Sequence, residues 1–472
     1  MVFSSTIFTF GFLPVVLFLY FIAKENCRNY ILLIASLIFY AYGEPKFVFV
    51  MLMSIVANYI AARAIGALTN NHYRKLVVIL AIIVNIGILF VFKYLDFTIS
   101  VVNRLFGLDL AIYNIMLPIG ISFFTFQAMS YVIDVYQNKA KVQKNICYLA
   151  LYISFFPQLV AGPIVRYNTI EEQIYHRTVS LEKIGAGAKR FMLGFAKKII
   201  LSNQLAIVSE RVFMSSNYST EPILLLWLGS VCFSLQIFYD FSGYSDMAIG
   251  LGKMFGFEFE ENFRYPYMSK SITEFWRRWH ISLGNWFRDY VYIPLGGSRV
   301  TPARHIVNLF VVWLLTGIWH GANYTFIAWG LFYFILLVIE KMFVKPEKRT
   351  GIIQVLWRIV TLLCINFGWI LFNASTLRGG GQYICSMLGM FGGKPVITAE
   401  LIAFLREYGI YMLAGIVFAT PIAEKLSNAA DKRRVLATAK TYLLPVVYLV
   451  VFLWATSFLI LGAHNPFIYF NF

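Results

Sequence analysis

Charged side chains are scarce in this chain: of its 472 residues, 13% are Asp, Glu, Lys or Arg, whereas 59% are apolar. A water-soluble protein could not pack so large an apolar fraction into one core, so the composition excludes a soluble globular protein. Many apolar stretches are long enough to cross or deeply enter a bilayer as helices. The sequence therefore predicts an all-α polytopic membrane protein with about eleven transmembrane helices plus shorter re-entrant helices.

Cysteine is also scarce, with five residues in the whole chain. The five are scattered, mostly within apolar stretches, and no two of them form a CxxC pair. An odd number at such spacings indicates neither a zinc site nor a disulfide framework. We therefore predict no metal site.

Acidic residues are few beside basic ones, 23 against 40, and the formal net charge is +17. The basic residues cluster in short loops between apolar stretches, as expected for loops kept on the cytoplasmic side of a membrane. Membrane topology and contact with anionic lipid explain this charge without a nucleic-acid partner. Reading outward from the basic loops predicts that the N-terminus and the C-terminus are both extracytoplasmic.

The chain lacks an internal repeat and a long soluble segment. We therefore predict a single membrane domain over residues 1–472. The largest interruption of the apolar pattern covers residues 258–304, which are rich in Trp, Arg and Tyr.

Histidine is rare, and one of the six histidines has unusual surroundings. His320 lies in the apolar stretch LFVVWLLTGIWHGANYTFIAW at residues 309–329. A titratable group at membrane depth is expected to face a protein interior or a watered cavity, and it is by default a candidate functional residue. A structural histidine bonded to a neighbouring helix is the alternative.

The segment ITEFWRRWHISLGNWFRDYVYIPLGGSR combines arginines with aromatic rings. On one helix, Trp276, Trp279 and His280 would share a face. Guanidinium groups bind phosphate and rings stack on adenine, so Arg277, Arg278, Trp279 and Arg288 are candidates to bind a nucleotide-bearing acyl donor. The alternative is an aromatic belt with arginines on the cytoplasmic side.

Polar side chains interrupt the apolar stretch around residue 240. Ser242 and Asp246 are spaced to share one helix face, so they could line a polar chamber. Helix–helix contacts through small and hydroxyl residues are the alternative. Asn323, which follows His320 closely, is a further candidate for substrate binding.

Five long motifs occur in order along the chain: MVFSSTIFTFGFLPVVLFLYF at the start, FFPQLVAGPIVRY at 155–167, QIFYDFSGYSDMAIG at 236–250, FWRRWHISLGNWFRDYVYIPLGG at 275–297 and TGIWHGANYTFIAWG at 316–330. With these motifs the chain resembles the membrane-bound O-acyltransferase (MBOAT) family over nearly its entire length. Within the family it is similar to the bacterial branch that contains the alginate O-acetyltransferase membrane subunit.

The resemblance implies a fold and a catalytic residue. Helices of an MBOAT fold would surround a central membrane-crossing chamber, with a catalytic core at about residues 117–345. His320, in the WHG motif, would be the catalytic histidine, and an imidazole suits the attack of a hydroxyl on a thioester because its pKa lies near neutrality. His280 occupies a second motif position, where it would assist donor binding or merely fix a re-entrant helix.

The resemblance also implies a function. The protein would lie in a bacterial cytoplasmic membrane and move acetyl groups from cytoplasmic acetyl-CoA, a substrate rather than a bound cofactor. The acceptor would be an exported or cell-surface polysaccharide. A partner, an extracytoplasmic acetyltransferase of the SGNH type, would complete the delivery, since no Ser-His-Asp nucleophile elbow is visible in this chain.

The last eight residues, NPFIYFNF, form an aromatic tail. The pattern F-x-Y-F-x-F resembles a tail in bacterial cell-surface acylation systems, in which Tyr469 would be the implied acyl carrier. We predict that the tail, residues 463–472, is extracytoplasmic. An interfacial aromatic anchor is the alternative.

A different class of function stays open at this point. A transporter or polysaccharide conduit could use His320 as a proton relay. Transporters commonly contain related halves with helices broken at matching positions, and the sequence contains no such repeat.

Overall fold

The computed structural model describes residues 1–160, 162–346, 350–391, 396–462 and 464–468. Helices dominate these ranges, and none of the residues described in them lies in a β-strand. The predicted all-α class is therefore confirmed.

Nine helical segments within the described ranges are long and apolar enough to cross a membrane, compared with the predicted number of about eleven. They are Val48–Ala67, Asn71–Phe106, Leu181–Phe213, Ile223–Met254, Pro302–His320, Tyr324–Val344, Gly351–Asn373, Ala399–Phe418 and Arg434–Ile460. The apolar residues 146–159 do not form one continuous helix, because the first helix ends at Ser154 and a short helix with Pro157 in its first turn begins at Phe156.

The described chain divides into two compact units. The first unit contains Met1–Phe191 and Ser245–Glu260, and the second contains Met192–Tyr244 and Glu261–Phe472. Compactness alone does not test the prediction of a single domain, which stays a prediction.

The first unit is built from helices of very different length. In chain order they are α1 (Leu13–Ile22), α2 (Glu25–Gly43), α3 (Val48–Ala67), α4 (Asn71–Leu89), α5 (Leu95–Phe106), α6 (Ile121–Tyr136), α7 (Ile146–Ser154), α8 (Phe156–Leu159), α9 (Tyr167–Tyr175) and most of α10 (Leu181–Ala196). Inside this unit the side-chain amides of Asn58 on α3 and Asn85 on α4 exchange hydrogen bonds of 3.1 and 2.8 Å. Such polar contacts hold apolar helices together in a membrane.

The second unit contains the remaining helices. They are α11 (Asn203–Phe213), most of α12 (Ile223–Met254), α13 (Ile272–Arg278), α14 (Ile281–Phe287), α15 (Pro302–His320), α16 (Tyr324–Ile339), α17 (Gly351–Asn373), α18 (Leu377–Met387), α19 (Ala399–Phe418), α20 (Ile422–Asp431) and α21 (Arg434–Ile460). A π-helical segment, Lys197–Ser202, joins α10 to α11.

Helices α15 and α16 form a tightly packed hairpin in the second unit. A Cβ atom on Gly317 would lie 2.5 Å from the Phe326 carbonyl oxygen, and one on Gly330 would lie 2.4 Å from that of Trp313. Only glycine lets the two backbones approach so closely. The hairpin therefore holds His320, the last residue of α15, beside the first turns of α16.

Candidate functional site

His320 is buried among aromatic rings, with 7% of its surface exposed. Its ring meets Trp329 and Phe372 edge to face, at centroid distances of 4.9 and 5.1 Å, and lies 4.7 Å from the ring of the preceding Trp319. These rings fix the orientation of the imidazole and exclude bulk water from its faces. This position agrees with the prediction that His320 faces a protein interior. The catalytic role of His320 stays a prediction.

Gly321, the residue after His320, makes room for one wall of this aromatic box. A Cβ atom at Gly321 would lie 2.3 Å from Cε2 of Phe326. Any larger residue would displace the Phe326 ring, which stacks at 6.5 Å from His320. The glycine of the WHG motif thus serves the packing around the histidine.

His280 lies at a break between two short helices, and the predicted helical face shared by Trp276, Trp279 and His280 is wrong. Helix α13 ends at Arg278, and Trp279 is extended. His280 then adopts the left-handed conformation, with φ of 45°, before α14 begins at Ile281. The backbone break turns the imidazole away from the helical register that spacing alone predicted.

The His280 ring is buried beside the side-chain amide of Asn262. Its Nδ1 atom lies 3.2 Å from Oδ1 of Asn262, which also accepts hydrogen bonds from the backbone N and the hydroxyl of Ser282 at 3.1 and 2.9 Å. Because Asn262 Oδ1 is an acceptor, Nδ1 carries the hydrogen and the lone pair of the neutral ring is on Nε2. Burial lowers the pKa of His280 to about 3, which keeps the ring neutral.

The structure brings both histidines close to one tryptophan. The ring of Trp319 lies 6.1 Å from His280 and 4.7 Å from His320. His280 also meets Phe241 of α12 edge to face at 4.6 Å. Two residues 40 positions apart in the sequence therefore belong to one cluster of rings in the second unit.

Trp276 of α13 and Trp279, the residue that follows α13, extend this cluster instead of facing solvent. Trp276 packs edge to face on Trp329 and Tyr333 at 5.4 and 4.8 Å. Trp279 is 4% exposed and packs on Trp369 at 4.7 Å. This packing indicates that Trp279 helps to hold the adjacent His280 in place. Stacking of Trp279 on the base of a donor stays a prediction.

The three predicted donor-binding arginines lie at or near the surface. Arg277 and Arg288 are exposed, and Arg288 pairs with the adjacent Asp289 at 2.8 Å. Arg278 is half-buried and pairs with Glu274, one turn earlier, at 2.6 Å. Exposed guanidinium groups are accessible to phosphate. Binding of donor phosphates by Arg277 and Arg288 therefore stays a prediction that their exposure allows.

The other predicted site residues have structural partners. Asn323 caps α16 by accepting a hydrogen bond from Thr325 N at 3.1 Å, and its amide donates to the Ser375 carbonyl at 3.2 Å. Asp246 belongs to the first unit, where Arg190 Nη2 and Nε lie 2.8 and 3.1 Å from its Oδ1. Substrate binding by either residue stays a prediction. Tyr469 lies outside the described residues.

Glu340, which the sequence reasoning missed, holds the helix that precedes His280. Its side chain is buried at the end of α16, and its carboxylate accepts hydrogen bonds from the backbone N of Ile272 and Thr273 at 2.6 and 2.9 Å. The Thr273 hydroxyl donates to it at 2.9 Å. The signal was present in the sequence, because an acidic residue at the end of an apolar stretch requires a partner.

We expect Glu340→Ala to lower the free energy of unfolding by about 3 kcal/mol, because it leaves the first two N–H groups of α13 buried without an acceptor. Unfolding of the purified protein in mixed micelles by a titrated denaturing detergent measures this change. Glu340→Gln keeps one acceptor oxygen and serves as the matched variant, with a smaller expected loss. Equal stability of Glu340→Ala and the unchanged protein would contradict the capping role.

Comparison with known families adds to this geometry. The model of the membrane-bound O-acyltransferase family, MBOAT, matches residues 122–372. The match includes His280, His320 and every helix of the ring cluster described above. It therefore covers the whole neighbourhood of the two histidines.

Three curated relatives are similar over most or all of their length. The chain is 38% identical to the "probable alginate O-acetylase AlgI" of Azotobacter vinelandii over 100% of both chains. It is 43% identical to the protein of the same name from Pseudomonas aeruginosa, over 80% of this chain and 73% of that protein. It is 33% identical to the "peptidoglycan O-acetyltransferase" of Helicobacter pylori, over 89% and 86% of the two chains.

Proposed function

Since the chain belongs to the membrane-bound O-acyltransferase family, we propose that it moves acetyl groups from cytoplasmic acetyl-CoA toward the hydroxyl groups of an exported or cell-surface polysaccharide. The protein is a multi-pass membrane acyltransferase. The observation that carries the proposal is the burial of His320 in a box of aromatic rings that includes Trp319, which also lies close to His280. A dry, oriented imidazole is what a general base requires.

His320 would act as the base and then as the acid in one transfer. It takes the proton of the acceptor hydroxyl as the oxygen attacks the thioester carbonyl carbon of acetyl-CoA. The new C–O bond forms, the C–S bond breaks, and the imidazolium returns the proton to the CoA thiolate. The products are an acetyl ester and CoA, so no further reactant is consumed.

Tyr469 is our proposed acceptor for this first transfer. The phenol has a pKa near 10, so a phenyl ester retains much of the reactivity of the thioester. The acetyl group on Tyr469 can then pass to an extracytoplasmic acetyltransferase of the SGNH type, which would place it on the polymer. The extracytoplasmic position of the C-terminus belongs to the same proposal.

The donor would bind from the cytoplasmic side. The exposed guanidinium groups of Arg277 and Arg288 support this proposal because they are accessible to the phosphates of CoA. Arg278 and Arg288 would bind phosphate only after leaving their ion pairs with Glu274 and Asp289. The polysaccharide acceptor draws support from the names of the relatives, which refer to alginate and to peptidoglycan.

A CoA-release assay tests the choice of donor. The purified protein in detergent is given acetyl-CoA, and the free thiol of released CoA is followed. We expect release well above the rate without protein, because water can replace the natural acceptor slowly. A parallel series with decanoyl-CoA controls for chain length, and we expect slower release from it. Absence of CoA release from acetyl-CoA, with release from decanoyl-CoA, would contradict an acetyl donor.

A further inference from the structure

A buried ion pair lies in the second unit, outside the histidine cluster. Lys198 Nζ is 2.6 Å from Asp240 Oδ1, and both side chains are 2% exposed. Lys198 belongs to the π-helical segment Lys197–Ser202, and Asp240 belongs to α12. π-Helical segments within α-helices often occur at functional sites.

The pair contacts the backbone of the C-terminal segment. Lys198 Nζ donates a hydrogen bond to the Pro466 carbonyl, and Asp240 Oδ2 accepts one from Ile468 N at 2.9 Å. Asn203 donates to the side-chain carbonyl of Asn465 at 3.1 Å. Three polar residues of the second unit therefore bind consecutive parts of one segment, His464–Ile468.

Side chains of the same segment are packed into the protein. The ring of Phe467 lies 5.1 Å from that of Tyr244 and 5.6 Å from Lys198 Nζ. Ile468 is buried in the aromatic core of the second unit. The segment is thus bound by its backbone and by its side chains, which an interfacial anchor would not require.

The ion pair solves a problem that burial of this segment creates. Residues 465–467 lie outside the helices, and unpaired N–H and C=O groups are costly in a buried segment. Lys198 supplies a donor and Asp240 supplies an acceptor for groups two residues apart. A buried ion pair contributes little more to stability than apolar residues in the same place would. The hydrogen bonds to the segment explain why charged residues occupy these two positions.

The segment is also close to the candidate site along α12. Asp240 binds Ile468, and the next residue, Phe241, contacts the ring of His280. His280 in turn shares Trp319 with His320. The residue that follows the bound segment in the sequence is Tyr469.

We propose that Lys198 and Asp240 form a docking site for the C-terminal segment His464–Ile468 and are positioning residues for acyl transfer to Tyr469. The role in transfer rests on the proposed function, whereas docking of the segment does not. The two residues neither touch the donor nor move a proton in this scheme. They hold the acceptor in place.

Exchanging the two charges distinguishes loss of the hydrogen bonds to the segment from loss of the ion pair itself. Lys198→Asp/Asp240→Lys can keep an ion pair, yet residue 198 can no longer donate to Pro466 and residue 240 can no longer accept from Ile468. We expect the Ile468 amide to exchange its hydrogen about tenfold faster, as measured by hydrogen–deuterium exchange with mass spectrometry, the factor for one lost hydrogen bond. Acetylation of the C-terminal peptide should fall about a hundredfold, because the acceptor is misplaced.

A second variant covers the case in which the exchanged pair does not fold. Lys198→Met/Asp240→Leu removes both charges together, a change that buried pairs often tolerate. We expect it to remain folded and to show the same losses in amide protection and peptide acetylation. Asp431→Asn, which removes the exposed pair with Lys440, is the matched control and should change neither measurement.

The outcomes distinguish the two proposals. Wild-type amide protection and peptide acetylation in the folded variants would overturn the docking site. Faster exchange at Ile468 with unchanged acetylation would overturn the positioning role. If the unchanged protein acetylates no C-terminal peptide while the amide protection still depends on Lys198 and Asp240, the proposed acceptor fails and the docking site stands.

Discussion

Replacing His320 with alanine is expected to reduce CoA release and acetylation of the surface polymer by about a thousandfold, the scale at which a positioned general base contributes to a rate. Without the imidazole, no group in the proposed scheme takes the proton from the acceptor hydroxyl. Acetate released from the polymer by mild alkali measures the cellular effect, and free thiol measures the purified protein.

The control for His320→Ala must show that the protein still folds. The rings of Trp329 and Phe372 lose a partner, so some loss of stability accompanies the change. His320→Gln keeps most of the volume and should be equally inactive, while His72→Ala changes an exposed histidine and should be fully active. Full activity of a folded His320→Gln protein would refute the catalytic assignment.

Tyr469→Phe is expected to abolish the acetylated form of the C-terminal peptide and to reduce polymer acetylation at least about a hundredfold. The change removes one oxygen atom, which is the proposed acceptor of the acetyl group. Mass spectrometry of the C-terminal peptide, isolated after incubation with isotopically labelled acetyl-CoA, detects the ester directly. CoA release into water should continue, since His320 and the donor-binding region are unchanged.

The matched control for the tail is Tyr442→Phe, which changes an exposed tyrosine on α21. It should leave the peptide and the polymer acetylated as before. Normal polymer acetylation in Tyr469→Phe would refute the carrier role and leave a direct transfer to a hydroxyl of the partner. The two variants thus report on different groups: His320→Ala should stop CoA release to any acceptor, whereas Tyr469→Phe should stop transfer to the tail and leave CoA release into water.

Several features of the site could be predicted from single residues. His320 was identified because an imidazole in an apolar stretch is costly unless the protein surrounds it, and the structure surrounds it with rings. The exposure of Arg277 and Arg288 also follows from their charge, because burial without a partner would cost several kcal/mol, on the order of the desolvation of an ion.

Other features depended on residues far apart in the chain. Glu340 reaches Ile272 across 68 positions, and Asp240 reaches Ile468 across 228. Periodicity reports only which side of a helix is apolar, so it does not reveal which distant donor a buried carboxylate will meet. The left-handed His280 was missed for a related reason: the spacing of Trp276, Trp279 and His280 fits a continuous helix, and the surrounding packing favours a break.

By itself the sequence determined the membrane class, the helical character and the buried position of His320. These properties depend on the free energy of transferring side chains from water to an apolar medium. Each residue contributes to that free energy almost independently of its neighbours. The tertiary structure alone decided that Trp319 lies near both His280 and His320, that Glu340 holds α13, and that Lys198 and Asp240 bind the C-terminal segment. Hydrogen bonds and ion pairs act over a few ångströms and need defined partners, so they exist only after distant parts of the chain have packed together.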